Sequence, residues 1–234
     1  MCVMAYLETR DAVHVLYLGE PGGGDDEARF HPDRLAEIHR LLDQVEQTEG
    51  PAALVTTNVG KFFTNGLDLE YIFPRMDELD AYLDTVHALY RRLVALPMPT
   101  IAAINGHAYG AGAMLATAHD FRHMRADRGF YCLPEVTLKM PFTHAMGALI
   151  TRRLTPQVAL EAMTTGRRYS GPEALERGIV DAVAEEADLL DGAVARAAEL
   201  APLRGGNLGR MKEQIHAALI ADLEVETTGT SIGD

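Results

Sequence analysis

The hydrophobic pattern begins with two short segments in which apolar and polar residues roughly alternate. These segments cover residues 3–7 and 13–18, and Thr9, Arg10 and Asp11 lie between them. A two-residue period on both sides of a short polar turn is typical of a β-hairpin. Short apolar runs farther along the chain predict strands at residues 52–56 and 100–104. Residues 121–124 are strand-like, and residues 179–183 are predicted as a last strand.

Helical periodicity occupies the segments between these strands. Residues 32–50 and 77–96 carry apolar side chains three and four positions apart, and Pro97 ends the second of these helices. Ser170 and Glu173 have the spacing of a capping box, which predicts a short helix there. Strands that alternate with helices imply α/β crossovers and a largely parallel sheet. The predicted fold class is therefore α/β.

The chain shows no internal repeat and no long linker, but its pattern changes near Gly166 from sheet-based to mostly helical. We therefore predict a core over residues 1–185 and a helical C-terminal extension with a tail over residues 186–234. Within the extension, residues 205–222 carry an apolar face and are predicted as one helix. Residues 224–234 are acidic and rich in threonine, which predicts a frayed tail.

Composition and charge narrow the possible partners. The 234 residues are 47% hydrophobic and carry a formal net charge of −13, with 21 Lys and Arg against 34 Asp and Glu. A nucleic-acid surface needs clustered cations, so we expect no nucleic-acid partner. No apolar run reaches the roughly 18 residues that span a bilayer. Residues 1–10 lack a signal-peptide pattern and residues 231–234 match no peroxisomal address, so we expect a cytoplasmic protein with no membrane partner.

Two glycine-containing loops carry the candidate chemistry. Asn65 and Gly66 follow one buried strand, and Gly106, Gly110 and Gly112 follow the next. Backbone N–H groups at the start of a helix can bind a negatively charged oxygen, so two N–H groups converging from these loops would make an oxyanion hole. The alternative is that the glycines serve tight turns and close packing alone.

Other kinds of site fit the sequence less well. The second loop lacks the G-x-G-x-x-G spacing of a dinucleotide site, and no Gly-Lys-Ser/Thr of a P-loop follows it. His119 and His123 superficially resemble two ligands of a helical zinc motif. The segment looks extended, however, and no third ligand is evident, so we predict no metal site. No G-x-S-x-G is present to support a serine-hydrolase site.

Three motifs in order resemble those of the enoyl-CoA hydratase/isomerase (crotonase) superfamily. KFFTNGLDL at residues 61–69 is similar to the first acyl-CoA signature, and LPMPTIAAINGHA at 96–108 is similar to the second, with GAG at 110–112 closing it. PEV at 134–136 matches the segment that follows. The resemblance covers roughly residues 3 to 200 and is closest to the short, plant-type Δ3,Δ2-enoyl-CoA isomerases.

The resemblance implies a spiral of βαβ units that assembles as a homotrimer or a dimer of trimers through the C-terminal helices. It implies an acyl-CoA thioester as the bound partner, with no further cofactor. The N–H groups of Thr64 and Ala111 would hold the thioester oxygen. Further residues implied to bind the substrate are Asn65, Gly66, Leu67, Asp68, Gly110, Met114 and Phe142.

The resemblance also separates hydratases from isomerases. Hydratases use two glutamates, and this chain has Met114 at the position of the first and Glu135 at the position of the second. A double-bond shift needs one carboxylate, because the same group can remove a proton from C2 and return it at C4. The resemblance therefore implies a Δ3,Δ2-enoyl-CoA isomerase with Glu135 as the sole general acid/base.

We expect an apolar pocket to raise the pKa of Glu135 toward neutrality by desolvation, with Leu133, Met114, Met140 and Phe142 forming it. The alternative is that Glu135 is an ordinary surface acid. Two further hypotheses stay open. One is another crotonase-type enolate reaction, such as decarboxylation, dehalogenation or a secondary-metabolite step. The other is a catalytically idle acyl-CoA-binding subunit.

Some positions depart from the family pattern. Lys139 replaces a common glycine, and residues 140–144 replace the glycine-rich stretch of hydratases, which further disfavours a hydratase. Asp25 and Asp26 stand where many relatives have basic residues near the CoA phosphates. The residues that contact those phosphates are therefore not assigned from the sequence.

Overall fold

The computed structural model describes residues 5–22, 24 and 26–230. Its strands are β1 (Tyr6–Arg10), β2 (Val13–Tyr17), β3 (Ala53–Thr57), β4 (Phe62–Thr64), β5 (Thr100–Ile104), β6 (His107–Tyr109), β7 (Phe121–Arg125), β8 (Tyr131–Cys132), β9 (Arg168–Tyr169) and β10 (Ala182–Ala184). The helices of the first half are α1 (Pro32–Gln47), α2 (Leu69–Ile72), a 3₁₀ helix (Phe73–Glu78), α3 (Leu79–Ala95) and α4 (Ala111–Thr117). The later helices are α5 (Glu135–Leu138), α6 (His144–Arg153), α7 (Pro156–Thr165), α8 (Gly171–Glu176), α9 (Glu186–Leu200), a 3₁₀ turn (Ala201–Leu203), α10 (Gly206–Ile215) and α11 (Ala217–Leu223).

The main sheet has the strand order β1-β2-β3-β5-β7-β10. The hairpin pair β1–β2 is antiparallel, and every other pair is parallel. The predicted α/β class, hairpin and largely parallel sheet are therefore confirmed. The first strand starts at Tyr6, later than predicted, and residues 3 and 4 lie outside the described residues. The last strand, β10, also starts later than predicted, at Ala182. Ile179 and Val180, which were predicted to belong to it, are buried but precede it.

A second, smaller sheet has the order β4-β6-β8-β9 and carries the candidate chemistry. Its first three strands are parallel, so their carboxyl ends meet at one edge. The residues that follow β4, β6 and β8 are Asn65, Gly110 and Leu133. Both glycine loops and the segment that leads to Glu135 therefore leave the sheet at the same edge.

Both faces of the main sheet are buried, which explains why β3 and β5 are predicted from short, largely apolar runs. Leu16 and Leu54 face a large core shared with α1 and α3, whereas Val15 and Val55 face a smaller core. Helix α9 covers the smaller core with Leu189, Ala193 and Ala197. The predicted boundary at residue 185 falls between β10 and α9, and the division into two parts stays a prediction.

The C-terminal region differs from its predicted form. The single helix predicted at 205–222 is two helices, α10 and α11, separated at His216, whose ψ of 14° departs from helical geometry. The predicted frayed tail is held on α3, because the N–H of Thr227 donates to Asp84 and that of Gly229 donates to Asp80. Residues 231–234 lie outside the described residues. None of the described helices is both long enough and apolar enough to cross a bilayer.

Candidate active site

A cavity of about 480 Å³ opens where the two glycine loops meet α5. One wall is apolar and comes from α2, α3 and α6, with Leu69, Leu79, Leu83 and Met146. The segment after α5 adds Met140 and Pro141. The cavity combines a long apolar wall with a few polar groups, as small-molecule sites commonly do.

Glu135 is the buried carboxyl group of this cavity. It is the first residue of α5, directly after Pro134, and it is 9% exposed. Its Oε2 atom is buried and has no hydrogen-bond partner among the described residues. Burial raises the pKa of Glu135 from 4.5 to about 7. A carboxyl group with this pKa can both accept and release a proton near neutral pH. The interpretation of Glu135 as an ordinary surface acid is therefore wrong.

The first glycine loop leaves one backbone donor free at the cavity. The N–H groups of Asn65, Gly66 and Asp68 donate to the Glu27 carbonyl, Thr64 Oγ1 and Tyr82 Oη, at 2.8, 3.0 and 2.9 Å. Leu67 lines the cavity, and its N–H has no acceptor in the part of the chain that the structure describes.

The second loop supplies another backbone donor. Gly110 has φ 52° and ψ −122°, a conformation that favours glycine, and it turns the chain from β6 into α4. Ala111 is the first residue of α4, so its N–H has no partner within the helix. No other acceptor for this N–H occurs among the described hydrogen bonds, and Ala111 lines the cavity.

Two glycines allow the loops to pack backbone against backbone. A Cβ atom on Gly66 would lie 2.9 Å from Ala111 N, and one on Gly112 would lie 2.3 Å from Thr64 O. Neither distance leaves room for a side chain. The glycines are therefore needed for close packing, as the alternative interpretation states, and this packing brings the Leu67 and Ala111 donors to one cavity.

The cationic groups at the cavity are Arg29 and Arg168. Arg29 is neutralised locally, because it contacts Glu27 at 2.6 Å and Glu70 at 2.8 Å. Arg168 lies over the ring of Tyr109, 5.9 Å from its centroid, and forms no ion pair with a described residue. Arg168 is therefore available to an anionic ligand.

The structure brings half of the predicted site residues to the cavity. Those that line it are Asn65, Leu67, Gly110, Ala111 and Glu135. The predicted residues that do not line it are Thr64, Gly66, Asp68, Met114 and Phe142.

Four of these five residues lie in other parts of the fold or have other contacts. Thr64 is fully buried in β4, so its N–H does not reach the cavity, and the free donor of that loop is on Leu67. Asp68 caps α2 by accepting from the N–H of Tyr71. Met114 is fully buried in the core on α4, and Phe142 packs against the same core. Of the four residues predicted to surround Glu135, Met140 lines the cavity.

The sequence analysis missed several lining residues, among them Cys132, Thr143, Arg168 and Thr230. They come from β8, the start of α6, β9 and the C-terminal segment, which the chain order does not connect with the glycine loops. For Arg168 the sequence offers one signal, because it is adjacent to Arg167 and a pair of cationic side chains can bind a phosphate group.

The other candidate groups have structural roles. His119 is fully buried, with Nδ1 2.9 Å from the Leu115 carbonyl and Nε2 2.8 Å from Thr56 Oγ1. Among the described residues, no group of three or more His, Cys, Asp or Glu side chains is arranged to hold a metal. Asp26 pairs with the buried Arg34 at 3.0 Å, and Asp25 lies outside the described residues.

Comparison with known proteins adds independent information. Residues 27–230 match the family model described as enoyl-CoA hydratase/isomerase. The chain is 38% identical to "Enoyl-CoA delta isomerase 3" of Arabidopsis thaliana over 78% of each chain. It is 32% identical to "Enoyl-CoA delta isomerase 1, peroxisomal" of the same plant, over 97% of this chain and 93% of the relative.

Solved structures match the fold over nearly the full length. A probable enoyl-CoA hydratase from Mycobacterium tuberculosis superposes with a TM-score of 0.87 at 23% identity, covering 95% of this chain and 92% of that one. An enoyl-CoA hydratase/isomerase family protein from Pseudomonas syringae gives a TM-score of 0.88 at 24% identity, covering 95% and 94%. At these identities the similarity establishes the fold.

Proposed function

Because this chain belongs to the enoyl-CoA hydratase/isomerase family, we propose that it is a Δ3,Δ2-enoyl-CoA isomerase. The curated relatives named enoyl-CoA delta isomerase support this activity. The observation that carries the proposal is the single buried carboxyl group of the cavity, Glu135, whose pKa of about 7 suits a group that takes and returns a proton.

The second carboxyl group at the cavity does not compete for this role. The side chain of Glu70 is 83% exposed and pairs with Arg29. The position at which hydratases carry their first glutamate is occupied by Met114, which faces the core. One carboxyl group is sufficient for a double-bond shift, so the arrangement favours an isomerase over a hydratase.

In the proposed reaction, the Glu135 carboxylate removes a proton from C2 of a 3-enoyl thioester. The electron pair of the broken C–H bond enters a dienolate that extends from the thioester oxygen to C4. The protonated Glu135 then delivers the same proton to C4, which gives the conjugated 2-enoyl thioester and restores the carboxylate. The net change is the movement of one proton and one double bond.

We propose that the N–H groups of Leu67 and Ala111 stabilise the negative charge on the thioester oxygen. Two backbone donors from loops packed on each other form a rigid oxyanion hole, and one such donor typically contributes ~3–4 kcal/mol to the transition state. This assignment replaces Thr64 by Leu67 because only the latter reaches the cavity.

The substrate in this proposal is an acyl-CoA thioester, with its acyl chain along the wall formed by Leu79, Leu83 and Met146. Arg168 is the proposed cationic contact for the CoA portion. No further cofactor enters the proposed chemistry. A homotrimer or a dimer of trimers and a cytoplasmic location remain part of the proposal.

The test is to mix the purified protein with 3-hexenoyl-CoA and to follow the ultraviolet absorbance of the conjugated 2-enoyl product. We expect this absorbance to appear with the wild type. In Glu135→Gln, we expect the rate of its appearance to be about 10²- to 10⁴-fold lower. Glu70→Gln is the matched control, and its rate should stay within about threefold of the wild type, since exposed charges contribute little.

Full activity in Glu135→Gln would refute the assignment of the base. A wild type that binds the thioester in calorimetry without producing the absorbance would refute the isomerase. That result would favour another enolate reaction or an idle acyl-CoA-binding subunit.

A further inference from the structure

Helix α3 carries two buried tyrosines, Tyr82 and Tyr90. Their hydroxyl groups form hydrogen bonds with backbone groups next to the two proposed oxyanion donors. Tyr82 Oη accepts a hydrogen bond from the N–H of Asp68, the residue that follows Leu67, at 2.9 Å. Tyr82 also donates to the Phe30 carbonyl at 2.9 Å. Tyr90 Oη donates to the carbonyl of Ala111 at 2.7 Å. Each glycine loop is thus tied to α3 by one phenol.

We propose that Tyr82 and Tyr90 are positioning residues that set the separation and direction of the Leu67 and Ala111 N–H groups. This inference rests on the proposed oxyanion hole. The two tyrosines lie eight positions apart on one helix, about 12 Å along its axis. Because a buried helix is rigid, it holds two loops that are distant in sequence at a constant spacing.

The surroundings of the tyrosines support a positioning role. Tyr82 is 5% exposed and Tyr90 is fully buried, so water does not replace either hydrogen bond. Burial raises the pKa of both phenols, which therefore stay protonated at neutral pH. Tyr90 bonds to Ala111, which itself carries one of the two donors. Tyr82 bonds to Asp68, which is the neighbour of the other donor residue, Leu67.

A fully buried tyrosine elsewhere in the core provides a matched control. Tyr131 Oη bonds to Thr117 Oγ1 at 2.8 Å and touches neither glycine loop through its hydroxyl. Thr117 is the last residue of α4, at the opposite end from Ala111, so Tyr131→Phe loses one buried hydrogen bond, as Tyr90→Phe does, but keeps the bond to the Ala111 carbonyl. The comparison separates general destabilisation from loss of positioning.

The experiment measures kinetics on 3-hexenoyl-CoA and the infrared carbonyl stretch of bound 2-hexenoyl-CoA labelled with ¹³C at C1. Oxyanion-hole donors lower this stretching frequency in proportion to their hydrogen bonds. We expect Tyr82→Phe and Tyr90→Phe each to reduce kcat about tenfold or more, with KM changed less than about threefold. The bound carbonyl frequency should move toward its value in water. Tyr131→Phe should keep wild-type kcat and frequency.

If Tyr82→Phe and Tyr90→Phe both keep the wild-type kcat and carbonyl frequency, the proposal is overturned, whatever the melting temperatures of the two variants. The two variants are tested separately, so a folding failure in one leaves the other as the test. If the wild type binds the thioester without isomerising it, the proposed function fails. The carbonyl frequencies of the variants then still decide whether the tyrosines position the donors.

Discussion

The carboxyl group of Glu135 lies directly against the backbone of Gly110. A Cβ atom on Gly110 would be 3.1 Å from Glu135 Oε1, and Ala111, with its free N–H, is the next residue. Gly110, which has no side chain, thus allows the proposed base to lie close to one of the proposed oxyanion donors. A substrate bound to the donor would have its C2 carbon, which is adjacent to the thioester carbonyl, close to the base.

Gly110→Ala should impair catalysis strongly. The new methyl group would crowd Glu135 Oε1 and would strain a residue at φ 52°. A displacement of about 1 Å in an active site typically costs up to about 100-fold, so we expect kcat to fall about 10- to 100-fold. Gly178→Ala is the matched control, because Gly178 has φ +70° with open space around its Cβ position. Equal activity in the two variants would show that the Gly110 contact is unimportant.

The rate should depend on pH through Glu135. The base must be ionised to remove a proton, and burial raises its pKa to about 7. We therefore expect kcat/KM to be constant above about pH 8 and to fall about tenfold per pH unit below about pH 6. Stopped-flow rates over this range provide the measurement. A rate that stays constant down to about pH 5 would mean that the carboxyl group titrates at its ordinary value.

The same pKa predicts a pH-dependent stability difference. The folded-state pKa of about 7 lies above the ordinary value of 4.5. The contribution of protonated Glu135 to the free energy of unfolding is therefore fully present below about pH 4.5 and is lost as the pH rises through 7. The ionised carboxylate then destabilises the fold by on the order of 3 kcal/mol. Urea unfolding should show Glu135→Gln to be more stable than the wild type at pH 8 and similar to it at pH 4.5. A constant difference across this range would contradict the burial effect.

Removing the second donor should slow the reaction without unfolding the protein. Ala111 is the first residue of α4, a position at which proline breaks no helical hydrogen bond. Ala111→Pro deletes the N–H, and we expect kcat to fall about 10²- to 10³-fold, as for other oxyanion donors. Glu186→Pro makes the same change at the exposed first position of α9, after a residue whose ψ of 160° is compatible with a following proline, and should keep activity. Wild-type activity in Ala111→Pro would show that this N–H does not take part in the reaction.

The C-terminal segment should restrict the length of the acyl chain. Thr230 lines the cavity, and Asp80 holds it by accepting from the N–H groups of Gly229 and Thr230 at 2.8 and 3.2 Å. Asp80→Ala releases these bonds, so we expect the ratio of kcat/KM for dodecenoyl-CoA over hexenoyl-CoA to rise severalfold. Asp77→Ala, on the 3₁₀ helix before α3, is the control. An unchanged ratio in Asp80→Ala would show that the segment does not limit the chain.

Much of the site was predictable from local sequence. Glu135, Ala111 and Gly110 belong to short motifs whose residues are adjacent in the chain, and all three line the cavity. The strands β3 and β5 were predictable because burial on both faces demands continuous apolar runs. Strands β4 and β6 were not identified, since three-residue strands have no measurable period.

The sequence by itself determined the α/β class, the family motifs and the identity of the buried acid. Only the tertiary structure decided that Leu67, rather than Thr64, presents its N–H at the cavity, because Leu67 lines the cavity without an acceptor among the described residues whereas Thr64 is buried in β4. It also decided that Met114 faces the core and that Thr230 reaches the cavity. Hydrogen-bond partners and cavity walls arise from contacts between distant segments, and the local periodicity of a sequence does not encode them.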